Sequence, residues 1–299
     1  MSKSFPPDVI VLDTDGLLHA RLARGKKGPR IVQAKAYRLA DGTFTPSMVT
    51  PQLANEAGLA EALRRLRAET GKWENVSLLL PDSWFRMNIM DLSSLPKNGN
   101  GEALEMVRFS LKRTLPIPPD QLRVSYSVLS RTGQAAKILA LSAIDATLSA
   151  IERIFAAVGF DVILIEPLGL NIWNAITVRE ADTTADRLFV YVREEDFTTA
   201  VFRGAQPLFI RSRNLSGDRT LEQELRLSAS YLRESLGTEG FANCYVAGVH
   251  AGADVAAALA AEFNTQVRTL QLRDYVEESP ADLQGRDAEL AACTGVFTG

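Results

Sequence analysis

Apolar residues in this chain recur at two spacings, which separate strands from helices. Short apolar runs predict strands at 9–12, 17–22, 31–39 and 76–80. Leu59, Leu63 and Leu66 recur at spacings of four and three, which predicts an amphipathic helix over 57–69. The segment 13–16 contains two aspartates and a glycine, residue types that favour a hairpin turn between the first two strands. The chain therefore opens with three strands, a helix and a strand.

The middle of the chain predicts a smaller unit of mixed structure. A strand over 84–92 precedes a helix over 104–115, strands over 124–129 and 137–142, and a helix over 144–158. The Pro116-Ile117-Pro118-Pro119 break ends the first of these helices, because proline cannot continue a helix. A buried strand over 162–167 and another helix, to about 176, follow.

The second half repeats the order of the first. The polar stretch DTTAD at 182–186 marks a domain boundary. Beyond it we predict strands over 188–192, 197–202 and 207–213, a helix over 221–236 and a strand over 244–248. A helix over 253–263, a strand over 266–272 and a last helix from about 286 complete the chain. This recurrence indicates two related halves that face each other across a cleft.

Residues 102–176 resemble the middle of the PilM family of type IV pilus assembly proteins. The resemblance lies in the order of elements, which is helix, Ile-Pro-Pro turn, strand, strand, helix, strand, helix, and in the segment GFDVILIEPLGLNIWNAI. That family is part of the actin-like superfamily, as is the cell-division protein FtsA. The resemblance covers residues 9 to about 295. It implies an α/β, actin-like (ribonuclease H-like) fold with lobes at 1–183 and 184–299. The first lobe should carry an inserted small α+β subdomain at about 84–158, as in PilM and FtsA.

The resemblance also implies a cleft in which glycine hairpins approach the phosphates of ATP and acidic residues hold magnesium. The first PilM-type hairpin, D-I-G-S-S-S-V-K, corresponds to 13–19 here, where Asp13 is kept, Asp15 replaces the glycine and Gly16 replaces a serine. A carboxylate at Asp15 would repel phosphate unless a metal lay between them. The bland interpretation of these residues is an ordinary hairpin turn.

The two other nucleotide-binding loops have changed as well. The second hairpin, D-I-G-A-T-T-T-T, corresponds to 191–198, with Tyr191 for the aspartate and Arg193 for the glycine. A short charge run at a turn is usually a solvated tip, so we interpret the acidic residues 194–196 in this way. The glycine-rich loop L-x-G-G-G-A corresponds to 246–251 and keeps Gly248 alone. We therefore expect a vestigial nucleotide site whose remaining members are Asp13, Asp15, Gly16 and Gly248.

This erosion predicts a protein without enzymatic activity, with no catalytic residue, no metal site and no bound ATP or magnesium. Side chains of Tyr191, Arg193 and Asp15 should fill part of the cleft instead. The alternative is an ATP-binding actin-like ATPase, or a phosphotransferase like the sugar kinases, which would keep the glycine hairpins.

Composition excludes several other classes. The formal net charge of −3 provides no basic face for nucleic acid. Cys244 and Cys293 lie far apart without a CxxC pattern, so neither a disulfide framework nor a zinc site is predicted. No apolar run approaches the roughly 20 residues of a membrane span, and the first residues lack a signal-peptide core. We expect a cytoplasmic protein.

By resemblance, the chain should be a scaffold that takes the cytoplasmic tail of a PilN-like inner-membrane protein into a groove beside the inserted subdomain. Membrane association would then occur only through this partner, and self-association stays open. The predicted contact residues lie on the helix over 104–115, on the break after it and on the strand over 124–129: Arg108, Phe109, Lys112, Ile117 and Tyr126. The alternative within the fold is the cytoplasmic part of a type II secretion platform protein of the GspL kind.

Overall fold

The computed structural model describes residues 5–14, 16–45, 52–71, 73–96, 100–112, 117–180, 184–215, 220–237, 240–248, 251–277, 283 and 285–298. Its strands are β1 (Asp8–Asp13), β2 (Gly16–Arg24), β3 (Pro29–Arg38), β4 (Phe44–Thr45), β5 (Gln52–Leu53), β6 (Asn75–Leu80), β7 (Arg86–Leu92), β8 (Leu122–Thr132), β9 (Ala135–Ile144), β10 (Asp161–Pro167), β11 (Asp186–Val192), β12 (Asp196–Arg203), β13 (Gln206–Asn214), β14 (Asn243–Ala247) and β15 (Val267–Thr269). Its helices are α1 (Glu56–Thr70), α2 (Asn100–Leu111), α3 (Asp145–Val158), α4 (Leu168–Arg179), α5 (Leu221–Leu236), α6 (Ala253–Phe263) and α7 (Asp287–Thr298).

Two five-stranded sheets of the same topology form the two lobes. The first has the order β10-β6-β1-β2-β3 and the second the order β15-β14-β11-β12-β13. Each combines an antiparallel ribbon of three consecutive strands with two parallel strands on the far side of the ribbon's first strand. The α/β, two-lobed fold predicted from the recurring element order is thus confirmed.

The inserted subdomain is a three-stranded antiparallel sheet in the order β7-β9-β8. Helix α2 covers one face of this sheet and buries Val107 and Leu111 against Leu122, Val124 and Ile138. Helix α3 packs against α1 and contributes Ile151 and Phe155 to the core of the first lobe. The unit defined by the separate sheet therefore ends near Ile144, and α3 packs as part of the lobe itself.

Helices α4 and α7 lie between the two sheets and pack closely against each other. A Cβ atom built on Gly295 of α7 would lie 1.8 Å from the carbonyl oxygen of Asn171 on α4, so only glycine permits this approach. Helix α7 also packs on β1, β2 and β3. The last helix of the chain therefore crosses back to the first lobe, a connection that the division at 183/184 does not capture.

An aromatic stack joins α4 to the second sheet. The ring of Trp173 on α4 stacks on Phe202 of β12 with centroids 4.0 Å apart. On the same indole ring lies the guanidinium of Arg187, 4.8 Å from its centroid. Because Arg187 is 1% exposed, its hydrogen bond of 2.9 Å to the Gly204 carbonyl offsets part of the cost of burying its charge. The core between the lobes is therefore continuous.

Several element boundaries differ from the predicted ones. The two short strands β4 and β5 pair in a segment for which no strand was predicted. The strand predicted over 84–92 begins at Arg86, because 82–84 form a 3₁₀ turn. Helix α2 begins at Asn100, and the predicted helix end at 113–115 lies outside the described residues together with Pro116. Another 3₁₀ turn, at 272–274, shortens the last strand to three residues. No helix in the described part of the chain is long and apolar enough to cross a membrane.

Candidate functional site

The turns that correspond to the two phosphate hairpins face each other across the cleft between the lobes. Asp13 ends β1 and Gly16 begins β2. A Cβ atom on Gly16 would lie 2.5 Å from the carbonyl oxygen of Tyr37 on β3, so close packing of the ribbon requires this glycine. In the second lobe, Arg193 follows β11, and its amide donates a hydrogen bond of 2.8 Å to the carbonyl oxygen of Asp196. Asp15 lies outside the described residues.

One arginine bridges the two turns. The Nη2 atom of Arg193 lies 2.5 Å from Oδ1 of Asp13 in the first lobe, and Nη1 lies 3.2 Å from Oδ2 of Asp196 in its own lobe. Arg193, Asp13 and Asp196 are 5%, 8% and 3% exposed, so the network is shielded from water. Burial alone would lower the pKa of Arg193, but the carboxylates outweigh this effect and raise it, which keeps the guanidinium charged. The cleft thus contains a cation that belongs to the chain.

Asp82 adds a further carboxylate to this region. It lies in the 3₁₀ turn after β6, and its Oδ1 accepts a hydrogen bond of 2.7 Å from the amide of Gly169 at the N-terminus of α4. A Cβ atom on Gly169 would lie 2.2 Å from Oδ2 of Asp82, so the glycine makes room for the carboxylate. Complete burial raises the pKa of Asp82 to about 6 even though this hydrogen bond lowers it. Asp82 therefore caps α4 from a different part of the chain.

The remaining cleft positions are packed against the fold. Gly248 follows β14 at a φ of 113°, and a Cβ atom there would lie 1.9 Å from the carbonyl oxygen of Val192. Gly248 therefore packs directly on the end of β11. Tyr191 is 2% exposed and belongs to the apolar core shared by the lobes rather than to the surface of the cleft.

These residues fit an internal ion network better than a nucleotide with its metal. The place between the two turns holds a guanidinium and two carboxylates, and phosphates would be repelled by the carboxylates. Among the described residues, no group of three or more His, Cys, Asp or Glu side chains could hold a metal ion.

A second feature is a groove of about 410 Å³ between the first lobe and the inserted subdomain. Five consecutive residues of β10, 162–166, line one wall, so the edge of that strand faces the groove. The opposite wall is formed mainly by β8 and β9. Residues 123, 125 and 127 of β8 and 141 and 143 of β9 share one face of their sheet, and Tyr126 and Ser142 also contribute. Strand β10 is the outermost strand of the first sheet, and Ile163 on it is 52% exposed. The groove therefore combines a free strand edge with a half-apolar face.

The acidic residues at the two ends of this groove have different partners. At the subdomain end, Arg123 lies 2.7 Å from Asp145 and 2.6 Å from Glu152, so its charge is compensated. On the other wall, Oε2 of Glu166 accepts a hydrogen bond of 2.9 Å from the side-chain amide of Asn171. Burial raises the pKa of Glu166, and the bond from Asn171 lowers it by less.

The structure separates the predicted partner residues. Tyr126 borders the groove, but it alternates with Ser125 and Ser127 along β8 and packs against the core on the α2 face of the subdomain sheet. Phe109 is exposed on α2, and Lys112 is exposed just after its end. Helix α2 covers the other face of the subdomain sheet, and its Arg108 pairs with Glu105 at 3.5 Å. Ile117 packs with the core between α2 and that sheet. The involvement of Arg108, Phe109 and Lys112 stays a prediction, and because these residues do not line the groove it is an alternative to binding there.

Three residues of the two sites escaped the sequence analysis in different ways. Asp196 was interpreted as part of a solvated acidic tip, which is wrong because it is buried against Arg193, whereas 194 and 195 are exposed. Asp82 and Glu166 were not singled out, although each is an acidic residue at the carboxyl end of an apolar strand run. That position was the available signal, since such strand ends often line sites in α/β proteins.

Comparisons with known proteins identify the fold. No family model matches the sequence, and no curated protein matches it. Among solved structures, a chain of the PilM–PilN type IV pilus biogenesis complex is similar with a TM-score of 0.81 and 16% identity over 96% of each chain. A protein of unknown function with an actin-like ATPase fold from Bacteroides thetaiotaomicron has a TM-score of 0.56 and 12% identity over 97% of this chain and 96% of its own.

The cytoplasmic domain of EpsL, an inner-membrane component of the type II secretion system of Vibrio cholerae, has a TM-score of 0.53 and 13% identity over 98% of this chain and 94% of its own. At such identities the likeness establishes the fold. The chain has an actin-like fold of the PilM-like form.

Proposed function

We propose that this protein is a non-catalytic cytoplasmic component of a type IV pilus assembly platform, and that it binds the cytoplasmic tail of a PilN-like inner-membrane protein in the groove between β10 and the inserted subdomain. The observation that carries the proposal is the groove itself. A free strand edge opposite a half-apolar face is what an extended peptide needs, because its backbone pairs with the edge while alternate side chains enter pockets.

The likeness to a chain of the PilM–PilN complex supports this choice of partner. The likeness to the EpsL cytoplasmic domain supports an envelope-complex role more broadly. Membrane association would then occur through the partner's tail.

We further propose that the cleft takes no nucleotide. The support is the position of Arg193, whose guanidinium joins Asp13 to Asp196 between the two turns. A scaffold of this kind has no need of turnover, since an internal ion network can fix the relative position of the turns that a nucleotide fixes elsewhere in the fold.

A peptide-binding titration tests the groove. The probe is a synthetic peptide with the sequence of the cytoplasmic tail of a PilN-like protein, and fluorescence anisotropy reports binding. Ile163→Arg places a charge in the groove and should abolish binding. The matched control is Leu227→Arg, because Leu227 is 45% exposed on α5 in the other lobe.

The same titration decides between the groove and α2. Phe109→Ala and the double variant Arg108→Glu, Lys112→Glu should bind as the unmodified protein does. Loss of binding in these α2 variants, with Ile163→Arg unaffected, would move the site to α2 and refute the groove.

A further inference from the structure

Glu166 is the one charged residue lining the groove that has no oppositely charged partner among the described residues. It lies at the carboxyl end of β10, immediately before Pro167 and α4. Among the described residues, its carboxylate accepts one side-chain hydrogen bond, from the neutral side-chain amide of Asn171. Among the described residues, no Lys, Arg or His forms an ion pair with this carboxylate. A partly buried carboxylate without a cation is costly, so such a position is unusual unless it has a use.

The other acidic residues of the groove region are in a different situation. Asp145 and Glu152 share Arg123, with Nε and Nη1 donating to one carboxylate each and Nη2 donating to Glu152 at 2.9 Å. The charges of these three residues and Glu166 sum to −2, because one arginine faces three acids. The groove region is therefore acidic. The cluster around Arg123 carries one of the two excess negative charges, and Glu166, which has no cationic partner among the described residues, carries the other.

We propose that Glu166 is the specificity-determining residue of the groove and accepts a basic group from the bound tail, either a Lys or Arg side chain or a free terminal amine. The proposal rests on the proposed function, because it names the chemistry of a peptide in the same groove. A peptide strand paired with the edge of β10 passes Glu166 at the end of its path. A cation there would form a charge-assisted hydrogen bond in a place shielded from water, where such bonds are strong.

Selection from a random dodecapeptide library displayed on phage tests this inference without assuming a partner sequence. The library is panned against the unmodified protein. Clones that bind the unmodified protein but not the Ile163→Arg variant are kept as groove binders. We expect these clones to share a Lys, an Arg or a dependence on the free N-terminus at one fixed position. Norleucine in place of Lys, and N-terminal acetylation, then distinguish the two sources of the cation.

Two isosteric variants make the test specific. Glu166→Gln keeps an oxygen that accepts the hydrogen bond from Asn171 and removes the negative charge. It should weaken the binding of the selected peptides roughly 30-fold or more, as loss of one member of a buried charge pair does. Glu152→Gln removes the same charge at the other end of the groove, where Arg123 already compensates it, so it should weaken binding much less than Glu166→Gln does. Thermal unfolding checks that both variants fold, and Glu166→Asp, which retracts the carboxylate, replaces Glu166→Gln if that variant does not.

The outcomes separate the two proposals. Groove-binding clones without a shared cation, or with equal affinity for the unmodified protein and Glu166→Gln, would overturn the role of Glu166 and leave the groove function intact. Equal losses in Glu166→Gln and Glu152→Gln would also overturn it, because general acidity would then suffice. If every clone binds Ile163→Arg as well as the unmodified protein, the groove function and the role of Glu166 both fail.

Discussion

Replacing Arg193 with methionine should destabilise the protein strongly, because the variant leaves two buried carboxylates without their cation. Methionine fills a similar volume, so the loss reports charge rather than a cavity. Asp13 and Asp196 are each less than a tenth exposed and within 3.2 Å of the same guanidinium. Removing one partner of such a buried network costs about 3–5 kcal/mol in free energy of unfolding.

Urea unfolding followed by circular dichroism measures this cost. The matched control is Arg203→Met, because Arg203 also bridges to an aspartate, Asp186, at 2.8 and 3.0 Å but lies at the surface. That variant should change the midpoint little, since exposed ion pairs contribute little.

A double variant tests whether the charge network acts across the lobes. If Asp13→Asn is combined with Arg193→Met, one uncompensated carboxylate disappears, and the double variant should recover ~1–2 kcal/mol relative to the sum of the single effects. The deficit of Arg193→Met should also shrink as pH falls from 8 to 5. Burial raises the pKa of Asp196 and Arg193 lowers it, so loss of Arg193 makes this carboxyl take up a proton more readily in the folded than in the unfolded state. Strict additivity, or a loss no larger than that of Arg203→Met, would refute the interpretation of Arg193 as the cation that joins the lobes.

Three further predictions concern the cleft. The unmodified protein should lose stability as pH rises from about 4 to about 6, because the folded state keeps a proton on Asp82 up to a pKa of about 6 while the unfolded state loses it near 3.8. Asp82→Asn should remove this loss. Equal pH profiles of unfolding free energy for the two proteins would contradict this. Gly248→Ala should lower the free energy of unfolding by more than ~2 kcal/mol, because Gly248 has a φ of 113° and the added Cβ would lie 1.9 Å from the carbonyl oxygen of Val192. Gly101→Ala should not destabilise the protein, because the space around Gly101 is open. Urea midpoints compare the two variants. Mg-ATP should leave the thermal midpoint unchanged. If the protein bound it, Mg-ATP at 100 times the dissociation constant would add about 2.7 kcal/mol to the free energy of unfolding. A clear upward shift of the midpoint would therefore refute the proposal that the cleft takes no nucleotide.

The fold could be predicted because its signals are local and repeated. Each lobe opens with three closely spaced apolar runs, and Leu59, Leu63 and Leu66 place their side chains on one buried face of α1 as the spacing indicates. Helix ends also follow local chemistry: Thr220 and Gln223 form a capping box at the start of α5, and Gly237 ends it at a positive φ. The crossing of α7 to the first lobe carried no such signal, since it depends on the contact that Gly295 makes with Asn171.

The candidate site was predictable in place but not in chemistry. Alignment of the hairpins located Asp13 and Arg193 at facing turns, and the substitutions indicated a poor phosphate site. That the arginine would pair with an aspartate 180 positions away could not follow from either segment alone, because the pairing depends on how close the lobes come. The same limit applies to the groove, whose walls are a strand edge and a sheet face from segments well apart in sequence.

The N-terminus of α4 connects the two sites. Its first turn donates the amide of Gly169 to Asp82 beside the cleft, and its next residues place the amide of Asn171 on Glu166 in the groove. Any shift of the cleft turns that moved α4 along its axis would therefore also move one wall of the groove. On the proposal that Arg193 takes the place of a nucleotide in the cleft, that wall keeps one position, and a preformed groove binds an extended peptide without the cost of ordering itself first. On the proposed function, loss of the nucleotide site and retention of the groove are consistent with each other, because a constitutive docking protein gains from a rigid cleft.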